Sequence, residues 1–155
     1  MPTLMKNRSH QPSASSVGPL LGLMGALLAL LILNLAVFDD LRIDPSAGVL
    51  ETFAKPQHLA SLVAVLLAGA LVAIRHRSAA RVAMVVAWIE ISAFTFFHLI
   101  PVEVGPSKPY WGDGMGDPLQ WVGLLSILAV SAAIVRVTRR SSTAAVTRVA
   151  ASAPS

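Results

Sequence analysis

Long apolar stretches separated by short polar segments dominate the chain. Val17 to Phe38 carries no charged side chain. Pro56 to Ile74 holds His58 as its one titratable group, Val82 to Val102 holds Glu90 and His98, and Pro118 to Val135 holds none. About 20 helical residues cross a bilayer core. The pattern therefore predicts four spans, at about 17–38, 57–75, 82–101 and 118–137. Soluble helices of this length would alternate an apolar face with a polar one, and these show almost no such period. The strict alternation of a membrane barrel is absent as well. In hydrocarbon each backbone polar group must be satisfied within its own segment, which selects helices. The expected fold class is all-α: an integral membrane bundle of four antiparallel transmembrane helices within residues 17–138. The flanking segments 1–16 and 139–155, rich in small and polar residues, are expected to be disordered tails.

Composition sharpens this. The chain is 55% hydrophobic and 13% charged, against about 25% charged in an ordinary soluble domain. It contains no cysteine, which removes disulfides, thiolate metal sites and cysteine nucleophiles. The net charge of +4 gains meaning from its placement. Nine basic residues fall in the N-terminal tail, the link between spans two and three, and the C-terminal tail; three fall in the other two loops. Seven of the eight acids lie in those other loops. The positive-inside bias then predicts cytoplasmic N and C termini, N-in/C-in. The first apolar run exceeds a signal-peptide core of about 7–15 residues and lacks a small-x-small cleavage site, so it is expected to remain as a span. Arginine outnumbers lysine nine to three, and the expected location is a bacterial inner membrane. The expected partners are the lipid bilayer and either a second copy or another membrane protein, with no nucleic acid.

Local signals add caps and contacts. Asp44-Pro45 reads as an N-cap followed by a first-turn proline. Val49, Leu50 and Phe53 could then share the face of a short interfacial helix, with an irregular loop as the competing form. Asp117-Pro118-Leu119-Gln120 has the spacing of a capping box. Tyr110 and Trp111 are expected at the headgroup level. Gly18 and Gly22, and the Ala60, Ala64 and Ala68 series, are candidates for close helix contacts.

Ionisable side chains within a span are costly and so are candidates for function. Glu90 lies about 13 Å from the Arg81 end of its span at 1.5 Å per residue. No basic residue shares that depth, so its carboxyl is expected to be neutral or to face a wet cavity. Ser126 of the fourth span is the expected hydrogen-bond partner. His58 and His98 each lie 20 residues from Ser78 in the link. Equal arms of a hairpin put both imidazoles at one depth, near the outer ends of neighbouring helices. Three readings compete for this pair. The histidines can ligate haem iron or another metal. They can act with Glu90 as a proton relay or a quinone-binding end. Or each simply sits at the wet interface. Asn34 either bonds a neighbouring helix or lines the same outward pocket. No dedicated motif implies a cofactor. P-loop, GxSxG, HExxH and Rossmann fingerprints are all absent. The sequence therefore favours a non-enzymatic accessory or lipid-like-ligand-binding component over an enzyme. The alternative is a redox or proton-linked protein using His58, His98 and Glu90.

Overall fold

The computed structural model describes residues 14–38, 46, 48–100, 110 and 117–151, with only the backbone of 14–16, 142 and 144–151. Helix α1 runs Ala14–Leu33 and continues as a π-helical end, Asn34–Phe38. A short helix α2 spans Val49–Ala54. Helix α3 spans Pro56–Ala73. Helix α4 spans Ala79–Phe94 and also ends in a π-helical turn, Thr95–Leu99. Helix α5 spans Pro118–Ala151. Four segments are long and apolar enough to cross a membrane: Val17–Phe38, Pro56–Ala73, Ala79–Leu99 and Pro118–Ser141. The molecule is a small multi-pass membrane protein.

The long helices close into a ring in which α1 touches α3, α3 touches α4, α4 touches α5 and α5 returns to α1. Partners along each pair run in opposite order. Gly69 of α3 faces Met24 of α1 near one end, whereas Asn34 and His58 meet the same cavity near the other. The buried positions repeat every seven residues in steps of four and three. On α1 they are Leu20, Met24, Leu27 and Leu31; on α4, Ala79, Ala83, Val86 and Glu90. On α5 they are Gln120, Leu124, Ile127, Ser131, Ile134 and Thr138. This is the seam of left-handed helix packing. The outward faces are equally apolar: Leu66, Leu67, Ile89 and Leu125 are each more than half exposed. An apolar exterior of this extent suits hydrocarbon, where such surface has no reason to be hidden.

The chain ends each helix by local means. Asp117 caps α5, its Oδ1 accepting the Leu119 amide at 2.8 Å. Gln120 Oε1 accepts the Asp117 amide at 2.8 Å, completing the capping box expected there. Helix α3 stops in a Schellman motif: His76 N–H donates to the Leu71 carbonyl and Arg75 N–H to the Val72 carbonyl. Arg75 takes the left-handed position, φ 53°, that glycine usually fills.

Several expectations change. Helix α2 forms, but its N-cap is Gly48; Asp44 and Pro45 lie outside the described residues. Residues 14–16 are helical, and α5 continues through the expected tail from 139 to Ala151. The segment's alanines, the best helix formers, favour that extension. Thr138, Ser141 and Thr143 turn their hydroxyls onto carbonyls three or four residues back, which helix geometry accommodates but does not gain from. Gly18 and Gly22 face outward with nothing within 4 Å of a would-be Cβ. On α3 the inward stripe is Val65, Ala68 and Val72, while Ala60 is exposed.

One glycine is required by packing. A Cβ on Gly123 would lie 2.7 Å from Phe38 Cδ2 and 3.0 Å from Asn34 Oδ1. Gly123→Ala is expected to push the π-helical end of α1 away and cost about 1–3 kcal/mol, the usual range for overpacking. A lowered midpoint in denaturant titration of the detergent-solubilised protein checks this.

Candidate functional site

Inside the ring the side chains should be apolar, and at the end remote from the α3–α4 link they are not. A cavity of about 260 Å³ opens there among α1, α3 and α4. Its apolar wall comes from Leu31, Leu35, Leu62, Ala93, Phe94 and Phe97. Its polar groups are Asn34, Lys55, Gln57, His58, Ser61, Glu90 and His98. Gln57 is exposed and Lys55 and His58 half-buried, so they mark the mouth. Asn34 and Glu90, 4% and 1% exposed, mark the floor.

The two π-helical turns frame this cavity. Asn34 and Leu35 come from one, Phe97 and His98 from the other. In the second, Ile100 N–H donates to the Thr95 carbonyl five residues back at 3.1 Å. A π turn adds a residue to the helical repeat and rotates the side chains beyond it. It thereby carries His98 off the strict seven-residue seam and onto the cavity wall, whereas Asn34, three residues beyond Leu31, still lies on the seam.

Ser61 Oγ donates to Glu90 Oε1. Glu90 Oε2 is buried and has no hydrogen-bond partner. Asn34 Oδ1, on the neighbouring helix, is likewise buried without one. Buried oxygens in this state are rare, because each forfeits its hydration. His58 Nδ1 donates to the Thr52 carbonyl of α2 at 2.8 Å. A carbonyl only accepts, so this Nδ1 carries a proton. The bond also explains why α2 is held against the bundle, with Thr52 wholly buried. His98 packs its ring on Tyr110 at 4.6 Å and on Phe94 at 5.5 Å. Tyr110 in turn meets Trp121 edge-on at 5.7 Å. Tyr110 is 3% exposed, so it is a packing residue within this stack rather than a headgroup anchor. Trp111 lies outside the described residues.

Of the residues singled out in the sequence, Asn34, His58, Glu90 and His98 share the cavity lining, and Ser126 does not. The Glu90 bond goes to Ser61 of α3 and not to Ser126 of α5. The reason is the hairpin register. The helices end at Ala73 and resume at Ala79, so the link is centred on His76 rather than Ser78. Counting from those ends places Ser61 beside Glu90, and His98 about one helical turn farther from the link than His58. The expectation of equal histidine depth is corrected accordingly. Ser61 was recoverable from the packing stripe itself. Steps of three and four back from Val72, Ala68 and Val65 land on Ser61 and then His58.

Among the described residues no group of three or more His, Asp or Glu side chains is placed to hold a metal ion. No family model, curated protein or solved structure matches the chain.

The Ser61–Glu90 bond yields a coupling test. Ser61→Ala should cost about 1–3 kcal/mol by leaving both buried carboxyl oxygens unpartnered. Ser61→Ala combined with Glu90→Leu should cost less than the sum of the single changes, since no buried acceptor remains. Additive losses in denaturant titration would show that the bond does not stabilise the fold.

Proposed function

We propose that this protein is a non-enzymatic component of a bacterial inner membrane that holds a lipid-like small molecule in the cavity among α1, α3 and α4. One observation carries the proposal: a cavity of about 260 Å³ whose wall joins the apolar side chains of Leu31, Leu35, Leu62, Phe94 and Phe97 to a small set of polar residues that includes the intramembrane Glu90. Binding sites for small molecules are mostly apolar with a few placed polar groups, which is this arrangement. Intramembrane ionisable groups are retained at a cost, which argues for use. Four helices leave little room for a transport pathway, which favours holding over transport.

A second reading has its own support. Ser61, Glu90, His58 and His98 share one cavity, so a proton taken up at the histidine end has titratable groups on the way to Glu90. Proton-linked chemistry with a membrane-soluble carrier such as a quinone would use the same groups.

The nine basic residues at the termini and the α3–α4 link support a topology with both termini cytoplasmic and the cavity mouth facing outward. A periplasm-active reporter fused after Ser155 should stay silent, and activity there would reverse the orientation.

Mass spectrometry of the full chain purified from native membranes tests the ligand proposal. The wild type is expected to retain a small amphiphile, and Ala93→Leu, which narrows the cavity, is expected to lose it. Equal recovery from both proteins would place the molecule elsewhere on the surface.

A further inference from the structure

One charge on the outside of the bundle is held in an unusual way. The guanidinium carbon of Arg139, on α5, sits 5.8 Å from the centre of the Trp88 ring on α4. Trp88 lies nine residues beyond Ala79, the start of α4, which is about 13 Å from the α3–α4 link. Both side chains are exposed, so the pair is on the outer wall. Long basic side chains near a helix end usually extend toward water. Arg139 is instead laid against an aromatic face within the span. A ring face offsets only part of the cost of a charge at that depth. The remainder calls for a counter-ion, and the adjoining helices carry none. No acidic residue occurs in 52–89 or after 117. Glu90, two residues beyond Trp88, is buried inside the ring and bonded to Ser61.

The surface around this pair has the outline of a lipid molecule. Arg81, Val85, Trp88, Ser92 and Phe96 follow one another in steps of three or four, and all are exposed. This face is basic at the link end and apolar beyond it. A shallow groove runs along it as far as Ile100, where small Ser92 and Ala93 lie between the bulkier Trp88 and Ile89 and the bulkier Phe96. From Trp88 to Ile100 is about 18 Å of helix, close to one leaflet of a hydrocarbon core about 30 Å thick. A guanidinium pairs with a phosphate through two parallel hydrogen bonds. A second copy of the chain suits the face less well. Two copies related by an axis normal to the membrane would set the same arginines against each other at one depth, and like charges repel.

We infer that the outward face of α4 holds an anionic phospholipid, its phosphate at Arg139 and Arg81 and an acyl chain in the groove from Trp88 to Ile100. This face is turned away from the cavity, although Ala93 and Phe97 border both. The site is independent of the cavity ligand proposed above and of the direction in which the bundle crosses the membrane.

The detergent-solubilised full chain is mixed with equal amounts of dioleoylphosphatidylglycerol and dioleoylphosphatidylcholine, which share their chains and differ in head-group charge. Bound lipid is read by native mass spectrometry. The wild type is expected to retain phosphatidylglycerol in preference to phosphatidylcholine. Arg139→Gln should lower that preference about fivefold, and Arg81→Gln should do the same. Arg77→Gln, which removes an exposed arginine of the link, should leave it unchanged. Ser92→Trp, which blocks the groove, should lower retention of both lipids and keep their ratio. No preference in the wild type, or an equal fall in Arg77→Gln and Arg139→Gln, would overturn the site and leave only a general attraction of the basic end. Unchanged retention in Ser92→Trp would take the acyl chain out of the groove. A two-copy species that displaces both lipids would give the face to a second copy instead.

Discussion

Hydrocarbon cannot hydrogen-bond, and this one property of the solvent arranges the molecule. It forces the backbone into helices whose amides are satisfied within each segment. It allows the outer faces to be as apolar as the core, as Leu66 and Leu125 show. It also leaves polar side chains one inexpensive place, the interior of the ring. Asn34, Ser61, Glu90, Gln120, Ser131 and Thr138 all lie on the inward stripes. Most find a partner there or at the helix itself, as Thr138 does on the carbonyls behind it. Glu90 Oε2, Asn34 Oδ1, Thr52 Oγ1 and Ser131 Oγ are buried without one.

The cavity exists because the regular seam breaks at one end. Along the lower part of the ring, small residues such as Ala79, Ala83 and Ala68 let the helices approach closely. Near the other end α1 and α4 both change to π-helical turns, and two phenylalanines and two histidines replace the alanines. Helix α5 takes no part in the lining. Its Gly123 instead gives way to Phe38 and Asn34, which holds the π turn of α1 in place. Helix α2 closes the same end through the bond from His58 to Thr52. Each of these devices sits within two turns of Glu90 or of the mouth.

The spans were legible because charge is so scarce. The first begins at Val17 and ends at Phe38 as read, and the others shift by a few residues. Capping by Asp117 and Gln120 was legible because both partners lie within one turn. What depended on inter-helix register was not. With both faces apolar, hydropathy does not tell inside from outside, and so of the Ala60, Ala64 and Ala68 series only Ala68 belongs to the fully buried stripe of α3, which Val65 and Val72 complete. The hairpin centre lay two residues from where the arginines suggested, enough to hide Ser61 behind Ser126. The π turns leave no mark in composition. Helix α5 outran its apolar segment because helix propensity acts without regard to hydropathy.

The account stands on a polar-floored cavity entered from the histidine end, and the absence of cysteine from the chain makes that directly measurable. Single cysteines are placed at Ser61 on the cavity wall and at Ala68, fully buried in the seam two turns below. Each is exposed in intact membranes to a small, charged methanethiosulfonate reagent. The account predicts rapid modification at position 61, slowed by Ala93→Leu, and protection at position 68. Protection at both positions, or equal reactivity at both, would contradict it.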